Sequence, residues 1–283
     1  MKTLSVVKKD LEFNRGLSSL IEVLKNIAVA QYRILEQKIK AFEKFMLTIE
    51  SFFEFIDFSQ ANHPFLVNQA KPQAVVAITS DSGLLGGLNM QVINQALIEL
   101  EKTPGKLFVI GERGKTYLRD ININFTSFSG IKDEARYAQA VQLRDFLIAR
   151  LSEGAFGQLK VVYPKPVSFT VQIVETMTML PFSLPKQQDS SASSAALSEI
   201  ILESHLGDII EYLVYIWIGQ KFYEVFGLSR LAEFAARFVH LEGSHQRLKD
   251  MDAKVRLEYF RVRHELIDRN MRELFAARLL YAS

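Results

Sequence analysis

The chain has 283 residues, 48% of them hydrophobic and 23% charged, with a formal net charge of +2. That is soluble, globular composition with apolar mass for one or two cores, and the near-neutral charge makes no electrostatic case for nucleic acid. The absence of cysteine excludes disulfides, cysteine-based zinc sites and thiol catalysis, and favours a reducing compartment.

The N-terminal stretch MKTLSVVKKDLEF is broken by Lys8, Lys9, Asp10 and Glu12, so it does not read as a secretory signal. From Leu17 apolar residues recur every three or four positions, through Leu20, Ile21, Leu24, Ile27, Ile34, Leu35, Ile39, Phe42 and Ile49 to Ile56. This is one stripe of a long helix. Some forty residues at 1.5 Å each make a rod of roughly 60 Å, which needs a partner helix to cover it. Gln31 and Lys38 interrupt the stripe, so it is not a strict heptad zipper.

Prolines stand at 64, 72, 104, 164, 166, 181 and 185, so both ends of the chain are free of the strongest helix breaker. Between Gln73 and Phe182 the pattern changes. AVVAIT and KLFVIG are short, β-branched apolar runs of the kind found in buried parallel strands. Met90–Lys102 and Glu134–Leu151 are helical in pattern, and LKVVYP and SFTVQIVETMTML add two strands. Alternating strand and helix predict a small α/β domain.

After DSSASSAA, Asp189 to Ala196, which reads as a mobile loop, the pattern is helical to Tyr281. Gly207, Gly219, Gly227 and Gly243 weaken this second rod without ending it. The apolar run Ile209–Gly219 carries Glu211 and is about half the length a bilayer needs, so no membrane span is expected. The expected fold class is α/β: a long antiparallel coiled coil of N- and C-terminal helices, residues 1–63 and 197–283, with a small α/β domain at 73–182.

The turn AITSDSGLLGGLN, Ala77 to Asn89, invites a chemical reading, since glycine-rich turns cradle phosphates and Ser82 resembles a nucleophile. A phosphate loop of the G-x-x-x-x-G-K-[ST] kind needs a lysine, and Leu88 and Asn89 follow Gly87 instead. The spacing of Gly83, Gly86 and Gly87 does not fit a dinucleotide fingerprint. A serine nucleophile needs a histidine base, and His205, His240, His245 and His264 all fall on the second rod. His240 and His245 are five apart and do not share a helical face as metal ligands would. A structural strand-to-helix corner is the expectation, with no cofactor, no metal and no catalytic residue.

The residues resemble those of the gamma subunit, the central rotor shaft of F-type rotary ATP synthases, over essentially the whole chain. Thr79 to Asn89, with Asp81, Gly83, Gly86, Gly87 and Asn89 in register, is similar to the family's T-[SD]-D-x-G-L-C-G-G-[LF]-N motif. Ser82 stands where arginine is common and Leu85 where cysteine is. VVYPKPVSFTVQIVETMTMLPF resembles the family's long strand pair, and VLKNIAVAQYR, with Lys25, Ala28 and Arg33, its first-helix motif. Glu233, Ala235, Ala236 and Arg237 match its E-x-A-A-R signature, and Tyr259, Arg263, Ile267 and Glu273 fall on its terminal-helix pattern.

The resemblance implies a Rossmann-like foot domain and a coiled coil inserted into a ring of three alpha and three catalytic beta subunits. Rotation of the asymmetric shaft would exchange their nucleotide states, coupling torque to ATP synthesis or hydrolysis and to proton or ion transport. It further implies an epsilon-type subunit and a membrane rotor ring at the foot, a peripheral place on the cytoplasmic membrane face, and no chemistry of its own. Lys25, Arg33, Arg237, Arg263, His264 and Asp268 are the implied contacts on the catalytic-subunit side. His264 and Asp268 replace the family's Gln and Thr at the beta catch, and Phe260 and Asn270 replace Asn and Glu. An aspartate facing a partner's carboxylates is repulsive, which implies an altered beta partner or a paralogous rotor whose torque goes elsewhere. A free-standing coiled-coil adaptor and an enzyme built on the α/β domain are the competing readings.

Overall fold

The computed structural model describes residues 3–53, 63–66, 71–182 and 205–281. The chain forms two compact units, Met1–Ala28 with Phe238–Ser283, and Val29–Arg237. The first helix, α1, spans Leu4–Phe52 and the last, α5, spans Leu206–Tyr281. Helix α1 starts well before the clear periodicity at Leu17. Val7 and Leu11 are buried there, but Lys8, Lys9 and Glu12 beside them obscure the stripe. The stretch Asp189–Ala196, expected as a loop, lies outside the described residues.

In the first unit the two helices pair antiparallel. Ile21 packs with Leu241 and Leu248, flanked by Leu17 and Leu24. Ser18 Oγ lies 3.0 Å from His245 Nε2, and Lys25 forms an ion pair with Glu242, so α5 descends as α1 rises. Asn14 is buried in the same helix pair. Polar groups at such positions fix the register that apolar contacts alone leave loose.

The second unit holds a five-stranded sheet with helices on both faces. In chain order its elements are β1 (Gln73–Ile78), α2 (Leu88–Lys102), β2 (Gly105–Ile110), α3 (Glu112–Asp120), β3 (Thr126–Phe128), α4 (Arg136–Ser152), β4 (Gln158–Pro166) and β5 (Gln172–Leu180). The spatial order is β3-β2-β1-β4-β5. All neighbouring pairs are parallel except β4 and β5, the long pair, which is antiparallel.

Every residue of β1 is buried, because its alternating side chains serve two cores. Ala74, Val76 and Ile78 face a core shared with α4, the lower part of α1 and α5 from Ile210 to Phe226. Val75 and Ala77 face α2 and α3 through Val92, Ile93, Ala96 and Leu118. Within this unit Tyr32 and Leu35 of α1 meet Leu231, Phe234 and Ala235 of α5, again antiparallel.

Helix α5 passes through Gly219 and Gly227 without a break. At Gly219 a Cβ would sit 2.8 Å from Arg144 Nη1, so the missing side chain admits the arginine that joins α4 to α5. That guanidinium stacks 3.7 Å from the Tyr215 ring and donates to the Tyr215 hydroxyl at 2.9 Å. The described helices include none long and apolar enough to cross a membrane.

Candidate functional site

The glycine-rich turn is the corner between β1 and α2, and its side chains close it from within. Ser80 N–H donates to Asn89 Oδ1 at 3.0 Å, and Asn89 Nδ2 donates back to Ser80 Oγ at 2.9 Å. The Ser80 hydroxyl in turn donates to the Ser82 carbonyl at 2.7 Å. Gly86 and Gly87 have φ of 60° and 95°, the left-handed region that lets the chain reverse just ahead of α2. At Gly83 a Cβ would stand 3.1 Å from the Arg113 guanidinium. Leu84 adopts φ 66° with a side chain and is half exposed.

The same corner also fixes α3. Asp81 Oδ1 accepts from the Glu112 N–H at 2.9 Å, which caps that helix from a distant segment. Thr79 Oγ1 donates to the Ile110 carbonyl at 2.6 Å and accepts from Gly114 N–H at 3.1 Å. Asp81 thus serves as a helix cap, and Ser82 Oγ accepts from a guanidinium. Among the described residues no three histidine or carboxylate side chains converge as a metal would require.

The turn docks on the E-x-A-A-R segment of α5. Arg237 Nη2 donates to Ser82 Oγ at 2.5 Å, across 155 positions of sequence. Leu85 and Leu88 pack on Ala232 and Ala236, whose small side chains let the corner approach the helix. Beneath them Glu233 is 3% exposed and accepts from Arg230 Nη1 at 2.7 Å. Arg230 also holds Asp133, in the loop before α4, at 3.1 and 3.2 Å.

Burial pushes the Glu233 carboxyl up to about 7, although Arg230 and Arg237 pull against it. Burial alone would lower Arg230, but Asp133 and Glu233 reverse that and leave it raised. Arg237, which lacks the second acid, is lowered by burial. Arg230 thus bonds the buried Glu233 directly while Arg237 feels only its charge, and each guanidinium reaches outward to a different loop.

The other sequence-predicted residues are spread along the helices. Lys25 is turned inward in the first unit, paired with Glu242 and placed 5.7 Å from the Phe238 ring centroid. Arg33 is exposed on α1, and Arg263, His264 and Asp268 are exposed on α5. From Leu266 to Arg278 every residue of α5 is exposed, among them Leu266, Ile267, Met271, Leu274 and Phe275. Sequence reasoning did not reach Arg230, Asp133, Arg113 or the Arg144–Tyr215 clasp. Arg230 lies three residues before the glutamate of a motif already singled out, the i, i+3 spacing that signals a helical ion pair.

One family description, ATP synthase, matches residues 3–278. The ATP synthase gamma chain of Pelotomaculum thermopropionicum is 22% identical over 280 residues, 97% of this chain and 97% of that protein. The gamma chain of Symbiobacterium thermophilum is 27% identical over 219 residues, 75% of each. Among solved structures, a chain in the rotor of the Euglena gracilis mitochondrial ATP synthase aligns with a TM-score of 0.67 at 16% identity, covering 93% of this chain and 98% of that one. A chain of the Tetrahymena thermophila central stalk and c-ring aligns with a TM-score of 0.61 at 16% identity, covering 80% and 99%.

Proposed function

This chain belongs to the ATP synthase gamma-chain family as a central-stalk subunit, and we propose that its helix pair turns inside a hexamer of alpha and beta subunits. The observation that carries this reading is the bare end of α5. A helix whose last described turns expose Leu266, Ile267, Met271, Leu274 and Phe275 has an apolar surface that water does not favour and a surrounding sleeve would cover. Arg33, Arg263, His264 and Asp268, all exposed, are the proposed polar contacts with that sleeve. Lys25 and Arg237 are bonded within the chain and act on the hexamer through the helices they hold.

The sheet domain is the proposed foot, meeting an epsilon-type subunit and a membrane rotor ring at the cytoplasmic face. The relatives in solved structures come from complexes described as F1, c-ring and rotor, which supports the hexamer and the membrane ring as partners. Torque entering at the foot would turn the shaft, and its unequal faces would bias each beta subunit to a different nucleotide state.

Co-expression with the alpha and beta subunits of the same source tests this reading. The expected product is a stable assembly of the hexamer with one copy of this chain, with ATPase activity that the hexamer alone does not match. Elution of the chain apart from an intact hexamer would overturn it.

A further inference from the structure

We infer that Arg237 is a positioning residue whose bond to Ser82 latches the β1–α2 corner onto α5 and keeps the foot from slipping on that helix under load. The inference rests on the rotor reading for its mechanical consequence, but the latch itself stands on geometry.

From Ile210 to Phe226 α5 lies on an apolar bed, and the bonds that Arg144 makes there to Tyr215 and Arg136 to Tyr223 come from α4 and do not hold the β1–α2 corner. Apolar contact is non-directional, so a helix can roll or slide on it by exchanging one set of contacts for another. Ala232 and Ala236 extend that bed beneath Leu85 and Leu88, and methyl groups offer little to grip. A hydrogen bond has a fixed distance and angle and does resist such motion. The segment Arg230–Arg237 supplies two such bonds to two loops, Arg230 to Asp133 and Arg237 to Ser82.

Glu233, buried between these arginines in sequence, bonds Arg230 directly at 2.7 Å and so holds that guanidinium before it reaches its loop. The bond at Ser82 is charge-assisted, and such bonds are about twice as strong as neutral ones. Ser82 is exposed on its turn, so replacing its hydroxyl removes the bond without opening a cavity.

Two arms test the inference. In the isolated chain, amide hydrogen exchange over residues 79–89 should quicken about tenfold in Ser82→Ala, while Ser82→Asp, which offers Arg237 a carboxylate, should match or exceed wild-type protection. In the complete complex in sealed vesicles, Ser82→Ala should hydrolyse ATP within twofold of wild type when the ion gradient is collapsed, yet sustain a gradient at least twofold smaller. Ser82→Asp should restore that gradient. Unchanged exchange in Ser82→Ala overturns the latch, and quickened exchange with an unchanged gradient overturns its role under load. Failure of the wild-type chain to assemble would instead count against the rotor reading, and the exchange arm would still decide the latch.

Discussion

Asn89 grips Ser80 from both ends of its side-chain amide, accepting from the Ser80 N–H at 3.0 Å and donating to the Ser80 hydroxyl at 2.9 Å. Ser80 is 2% exposed, so its backbone N–H has no water to fall back on. Asn89→Leu therefore leaves a buried donor unpaired and should cost about 1–3 kcal/mol, read as a lower urea midpoint. Asn89→Asp keeps the acceptor and loses the donor, and should cost less. Equal losses in the two variants would contradict the double bond.

Two glycines with open space around them should respond in opposite directions. At neither Gly16 nor Gly87 would a Cβ meet an atom within 4 Å beyond the adjoining residues and the local helix backbone. Gly16 lies inside α1, where alanine is the better helix former, so Gly16→Ala should stabilise by about 0.5–1 kcal/mol. Gly87 has φ of 95°, so Gly87→Ala should destabilise by about 1–2 kcal/mol from backbone strain alone. Thermal unfolding of the two variants separates packing from conformation, and shifts of the same sign would contradict it.

The Glu233 carboxyl is raised to about 7 by burial, above its ordinary value, so its protonated form is the one the fold favours. Its contribution is fully present below about pH 4.5 and is lost as pH rises through about 7. Glu233→Gln removes that dependence. Wild-type stability measured against the Gln variant should therefore decline between those values, by up to about 3 kcal/mol, and level off above pH 7. A difference that stays flat from pH 5 to 8 would show that Arg230 and Arg237 hold the carboxylate charged throughout.

Asp268 is exposed on α5 in a stretch that also carries Arg263, Arg269 and Arg272. If it meets acidic groups on a beta subunit of the common kind, one repulsive surface pair should weaken assembly by about two- to fivefold. Asp268→Thr should recover that factor in a hybrid complex built on the hexamer of a gamma-chain relative. Identical assembly by wild type and variant would remove charge as the reason for the divergence at this position.

The parts of the fold that are legible in the sequence are those where a local period coincides with burial. β1 and β2 announce themselves through the short apolar runs AVVAI and LFVI, and both long helices through their helical pattern. Helix α3 does not, since ERGKTYLRD is mostly charged and its start is fixed by Thr79 and Asp81 from another segment. Strand β3, three residues long, is too short to show a period. At the corner the glycines and Asn89 mark a structural turn, but nothing local to Ser82 points to Arg237, because their bond joins residues that only the folded chain brings together.

The central claim is rotation, and it is measured most directly by fixing the alpha-beta hexamer to a surface and following a bead attached to the sheet domain of this chain. The expected result is stepwise turning in one direction when ATP is supplied, halting when ATP is withdrawn. Continued ATP hydrolysis by the assembled complex with the bead stationary would contradict it.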